Sequence, residues 1–182
     1  MTRLGSWNPS SLDDKIDRLD SLAEIRQLPP RYALAVDSRD LDTLVSLFIA
    51  DVRVGRDRYG RDALKEWFIS SLTRMKTTIH FVGNHVVDFD DPDHAHGIVY
   101  CRDELERPEQ HEWQIGVIQY WDTYRRMDGE WFFERRKLHR WYVVDALTRP
   151  AHGLGVGGEG LKTPQLPEAF QTWAAFWAAR AG

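Results

Sequence analysis

Apolar residues recur at helical spacing from Leu12 through Ile16, Leu19, Leu22 and Ile25, the period that gathers them on one face of an α-helix. Ser10 or Ser11 precedes this run as an N-cap, and Asp13 and Asp14 fall in the first turn, where carboxylates suit the helix dipole. Pro29-Pro30 interrupts the pattern. A proline inside a helix loses a hydrogen bond and clashes one turn back, so a kink or break is predicted near Leu28, with a restart from Tyr32 to Val36. Asp40 caps a short helix holding Leu41, Leu44, Val45 and Phe48. Val52-Arg53-Val54 reads as a short strand, and Tyr59-Gly60-Arg61-Asp62 as a turn ending in an N-cap. Ala63 to Met75 is then a third helix with Leu64, Trp67, Phe68 and Leu72 on one face.

The pattern changes at Thr77. Thr77–Phe89 is rich in β-branched and aromatic residues and predicts a strand. Asp90-Asp91-Pro92-Asp93 is a turn by composition. Ala95–Leu105 and Glu112–Arg125 follow as strands, joined through Glu106–Gln110. Met127-Asp128-Gly129-Glu130 is a hairpin turn, since Asp-Gly supplies the positive φ angles a tight turn needs. Trp131–Val144 is the last strand. Helices followed by an antiparallel meander make an α+β fold, with the curved sheet wrapped around the helices as a cone. Residues 1–10 read as an N-terminal arm, 11–148 as the domain, and 149–182 as a Gly-rich tether with an aromatic helix over Glu168–Ala179. That helix either docks over a pocket mouth or a neighbouring subunit, or simply packs on its own domain.

Composition narrows the partners. Net charge is −4 without a basic stripe, which excludes nucleic acid as an expected partner. No apolar run reaches membrane-span length, and the N-terminus lacks a signal-peptide core, so a cytoplasmic chain is expected. The single Cys101 excludes an internal disulfide and a multi-cysteine zinc site. His94 and His96 share a strand face beside Asp90, Asp91 and Asp93, but read as a solvated turn; no metal and no cofactor are expected. Eight Trp, eight Phe and six Tyr suit an apolar pocket or an interface, as well as plain core packing.

Three stretches carry a family resemblance. Glu24 to Leu28, Tyr32, Val36 to Asp42, Leu47-Phe48 and Asp51-Val52 resemble the opening of the SnoaL-like family of the NTF2-like superfamily. Thr78 to Asn84 resembles its first long strand, and Tyr124 to Trp131 its last hairpin. The scytalone dehydratase and bile-acid 7α-dehydratase branch is the most similar. The resemblance implies a cone-shaped α+β fold and an Asp at the end of the first long helix meeting a His from the facing strand. Asp37 and His80 fall at those places. It also implies a pocket tyrosine at Tyr32 and a carboxylate on the second strand, Asp103 or Glu104, of which alternation lets only one face inward. Val36 stands where the scytalone enzyme has a tyrosine.

Chemistry gives these residues roles. A carboxylate near a helix C-terminus, partly buried, is expected to have a raised pKa and to exchange a proton; a solvated turn residue is the plainer reading of Asp37. A carboxylate on one nitrogen of His80 fixes its tautomer and leaves the other for substrate, whereas a packed strand histidine would do nothing. Arg140 is a candidate for holding a substrate carbonyl or anion, or a surface arginine; Tyr59 and Asn84 are further substrate-binding candidates. The expected function is a cofactor-free dehydratase-like lyase. Its substrate is a small hydroxylated alicyclic, polyketide-like or steroid-like molecule. Isomerisation or cyclisation in the same pocket, a non-catalytic structural subunit and a ligand-binding module are the alternatives. By analogy with the family, a homo-oligomer, trimer or dimer, is expected.

Overall fold

The computed structural model describes residues 7–146; the expected tether and aromatic helix lie outside them. The Ser11 hydroxyl accepts from the Asp14 amide at 3.0 Å, and the Asp14 carboxylate reaches back to the Ser11 amide at 3.4 Å. This reciprocal cap starts α1 (Leu12–Ser38). The predicted break near Leu28 does not occur: α1 runs unbroken through Pro29 and Pro30. Ile25, Leu28, Pro29, Tyr32 and Val36 are all buried. At about 1.5–3 kcal/mol for each large apolar side chain, their burial outweighs a proline cost of about 3 kcal/mol apiece. The N-terminal end of the stripe does not share in this: Leu12, Ile16 and Leu19 are exposed.

Arg39 ends α1 in the left-handed conformation (φ 62°). Asp40 then caps α2 (Leu41–Ser46), accepting from the Thr43 amide at 3.1 Å. Phe48 lies beyond α2 and bridges to Phe133. The short strand β1 (Arg53–Val54) pairs with β2 (Arg58–Tyr59), a partner the sequence did not reveal. Gly60, not Asp62, is the N-cap of α3 (Arg61–Leu72), so Asp62 sits in its first turn.

The four long strands are β3 (Thr78–Phe89), β4 (His94–Arg107), β5 (Glu112–Met127) and β6 (Glu130–Asp145). They form an antiparallel meander in that order, each strand ending within two residues of its prediction. Asp128 and Gly129 take φ 52° and 87° in the last hairpin, as a tight turn requires. One residue too many interrupts β3 between Val82 and His85 and β6 between Phe133 and Arg135. Such bulges bend the strand and change which side chains face inward. Helix α1 packs on β3 and β6, and the core between helices and sheet is aromatic: Tyr32 makes edge-on ring contacts with Phe48, Phe68, Tyr120 and Phe133. Trp7, in the expected arm, is fixed to the end of β3 by a 3.2 Å hydrogen bond from its amide to the Phe89 carbonyl. None of the described helices is long and apolar enough to cross a membrane.

Candidate active site

Asp37 lies in the last turn of α1, and Thr78 and His80 lie at the start of β3, directly against it. The His80 ring Nδ1 is 2.7 Å from Asp37 Oδ1, and the His80 backbone N–H donates to Asp37 Oδ2 at 2.8 Å. The Thr78 hydroxyl also donates to Oδ1, at 2.8 Å. Its single proton is then committed, so its oxygen accepts from the Arg39 guanidinium at 2.7 Å. The left-handed turn at Arg39 brings that guanidinium back over the helix end, where it also donates to the Val36 and Met75 carbonyls. Arg39 and Thr78 belong to the stretches of family resemblance, but nothing in their spacing announced this role.

The electrostatics correct one expectation. Burial pushes the Asp37 carboxyl up, but the His80 ring, its charge and backbone N–H, and the Thr78 hydroxyl outweigh that, and its pKa falls below the ordinary value. The lowered value favours the ionised carboxylate, where a raised one was expected. An ionised Asp37 can only accept, so Nδ1 carries a proton toward it, and His80 Nε2 has no hydrogen-bond partner among the described residues.

Asp103 stands opposite His80 on β4. It is 8% exposed, and its Oδ1 is buried without a hydrogen-bond partner. Burial drives its pKa up, against the opposing charges of His80 and Arg140. A Cβ on Gly116, its neighbour across β5, would lie 1.9 Å from that oxygen, so glycine there makes the space. Glu104 faces the other way and pairs with Trp113 and Arg102. Arg140, opposite Ile118 on β6, acts electrostatically on Asp103. Cys101, one inward position along from Asp103, is 3% exposed, and burial raises its thiol to about 12, a poor nucleophile.

Tyr32 is placed elsewhere. It lines a cleft of about 900 Å³ with Phe48, Phe68, Tyr120, Arg136 and Leu138. Asp37, His80 and Asp103 are not among the lining residues. Burial raises the Tyr32 phenol to about 12, so it remains a proton donor. Four cations line this cleft, Arg53, Arg135, Arg136 and Lys137, and Arg136, the buried one, is one the sequence did not disclose. Its guanidinium is bidentate to Asp122 at 2.9 and 2.7 Å and sits 4.1–4.4 Å from the centroids of Tyr32, Tyr120 and Phe133. Simple alternation from the buried Trp131 and Phe133 points 136 outward; the bulge at Glu134 turns it in. Tyr59 is 61% exposed on the small hairpin and Asn84 is exposed on the β3 bulge, so neither joins the Asp37–His80 cluster. His94 and His96 hydrogen-bond to Asp91 and Asp90 at 3.0 Å on the surface.

The chain matches the model of the SnoaL-like domain over residues 17–137. No curated protein matches it. Among solved structures it is similar to a candidate scytalone dehydratase from Novosphingobium aromaticivorans, at 24% identity and TM-score 0.64, covering 81% of this chain and 99% of that one. It is also similar to a hexachlorocyclohexane dehydrochlorinase, LinA-type3, from Novosphingobium barchaimii, at 22% identity and TM-score 0.65, covering 82% and 99%. At these identities the likeness shows the fold.

Proposed function

The chain belongs to the SnoaL-like domain family, and from that premise we propose that it is a cofactor-free acid–base lyase whose proton-transfer group is His80. The carrying observation is the Asp37–His80 contact at 2.7 Å, with Asp37 held ionised and Nε2 left over. A dehydratase and a dehydrochlorinase, as the two similar structures are named, both make a carbon–carbon double bond by losing a proton and a neighbouring leaving group.

His80 Nε2 takes the proton from the carbon beside an activating carbonyl. The C–H electron pair becomes the new double bond, and the C–O pair departs with the hydroxyl. Asp103, whose burial favours its protonated form, donates its proton so that water leaves. The His80 imidazolium then returns a proton to Asp103, and Asp37 stabilises the imidazolium in between. Such proton transfers contribute roughly 10²–10⁴-fold.

Only an elongated substrate would reach from this cleft to His80, which is not among its lining residues. Arg136 and Asp122 lie in the cross-strand row of Gly97, six residues along β4 from Asp103, or about 20 Å of strand. The guanidinium folds back over Tyr120, one row nearer His80. A molecule held by Tyr32 and Arg136 and also touching His80 spans more than one ring, which favours fused alicyclic or polyketide-like ketones over monocyclic ones.

The test is a panel of β-hydroxyketones, monocyclic to tetracyclic, followed by the appearance of enone absorbance. Turnover that improves with ring number supports the reading. Tight binding without turnover of any member points instead to a ligand-binding module, and neither binding nor turnover to a structural subunit.

A further inference from the structure

A second histidine lies on the inner face of the sheet, outside the cluster just described. His85 follows the β3 bulge, and its Nε2 is 3.0 Å from the Tyr124 hydroxyl. That hydroxyl donates to Asp122 Oδ2 at 2.9 Å. Asp122 in turn grips Arg136 through both of its oxygens. The chain therefore runs from β3 to β6, and it crosses β4 at Gly97. A Cβ there would lie 3.3 Å from both His85 Nε2 and the Tyr124 ring, and 2.6 Å from the Val86 carbonyl.

The proton count fixes the direction of every link. Asp122, bidentate to an arginine, can only accept. Tyr124 has one proton and spends it on Asp122, so its oxygen must accept from His85. His85 is thus the Nε2–H tautomer, and Nδ1 is its unprotonated nitrogen. Burial lowers its pKa to about 4, which agrees with a neutral ring. At the far end, Asp122 takes Arg136 Nε and Nη2; Nη1 has no hydrogen-bond partner among the described residues, on a side chain that lines the cleft.

We propose that His85 and Tyr124 are positioning residues for Arg136: the relay His85→Tyr124→Asp122 fixes the carboxylate that aims the guanidinium into the cleft. The ion pair is neutral as a unit. Arg136 Nη1 is accordingly a donor for a carbonyl or hydroxyl oxygen held in the cleft. This last step rests on the cleft being the substrate pocket; the relay itself does not.

Two readouts keep these apart. In the ¹⁵N-labelled full chain, two-bond proton–nitrogen spectra should show His85 protonated at Nε2. Hydrogen exchange at Arg136 Nε should quicken roughly tenfold, the worth of one hydrogen bond to a charged group, in Tyr124→Phe and in His85→Leu. His85→Gln, which keeps an N–H donor, should restore slow exchange. The Val99 amide, in the same sheet, should hold its rate throughout, which separates loss of aim from loss of fold. A His85 protonated at Nδ1, or an Arg136 Nε–H unchanged in both disrupting variants, overturns the relay. With an accepted β-hydroxyketone, His85→Leu should raise KM roughly tenfold and leave kcat within about twofold; an unchanged KM overturns the role in binding. If the wild-type chain turns over no member of the panel, the lyase reading falls while the exchange data still decide the relay.

Discussion

The surroundings of Asp103 disfavour its charge. Its Oδ1 is buried without a partner, and burial raises its pKa. A carboxyl with a raised folded-state pKa destabilises the protein when ionised, and that penalty disappears as pH falls through the folded value toward the unfolded one. The Asp103→Asn protein should therefore melt higher than the parent at pH 8, with the gap closing on acidification; a gap that widens in acid contradicts the protonated role. Asp37 has the opposite sign. Its depressed pKa contributes stability that is present above the unfolded carboxylate value and lost as pH falls through the folded one. Asp37→Asn should accordingly be less stable at pH 7, and its deficit should shrink in strong acid, as read by denaturant midpoints. His85 has the same sign as Asp37 in a higher window: neutral in the fold with a pKa lowered from 6.5 to about 4, it withdraws stability as pH drops across that window. His85→Leu should flatten this part of the pH–stability curve.

At the scale of elements, the sequence disclosed those fixed by local chemistry. The Ser11 cap, the Asp40 cap and the Asp-Gly hairpin each satisfy a backbone demand within a few residues, so their signals are local. What stayed hidden depends on distant neighbours. Pro29-Pro30 reads as a break because the helical pattern carries no record of the sheet that buries Leu28, Pro29 and Tyr32. Arg136 was not singled out in the sequence, because nothing nearby marks the bulge that turns it inward. Asp37 and His80 were legible through family resemblance, whereas the depressed Asp37 pKa required the Thr78 and His80 donors to be seen. Two expectations follow. Pro30→Ala, at an exposed position, restores a backbone donor to α1 and should stabilise the protein by about 1–2 kcal/mol, the helix gain of about 3 being offset by a more flexible unfolded chain. Asp122→Ala strands a buried guanidinium and should cost about 3–5 kcal/mol in chemical denaturation, far more than the double replacement Asp122→Leu with Arg136→Met.

Across the whole molecule, one sheet face carries two polar centres in an aromatic core. The cluster of Asp37, His80 and Asp103 is at one end, and the Arg136 cleft with its His85 hydrogen-bond chain lies further along. Cys101 stands between them: its thiol feels Asp103, Arg136 and Asp37. Helix α1 ties the two together, since it supplies Tyr32 to the cleft and Asp37 to the cluster from one rigid element. The most direct test is the turnover of the best accepted β-hydroxyketone by His80→Ala beside wild type, with matched circular dichroism. The account predicts a fall in kcat/KM of roughly 10²–10⁴-fold with the fold intact. Turnover within twofold of wild type would contradict it.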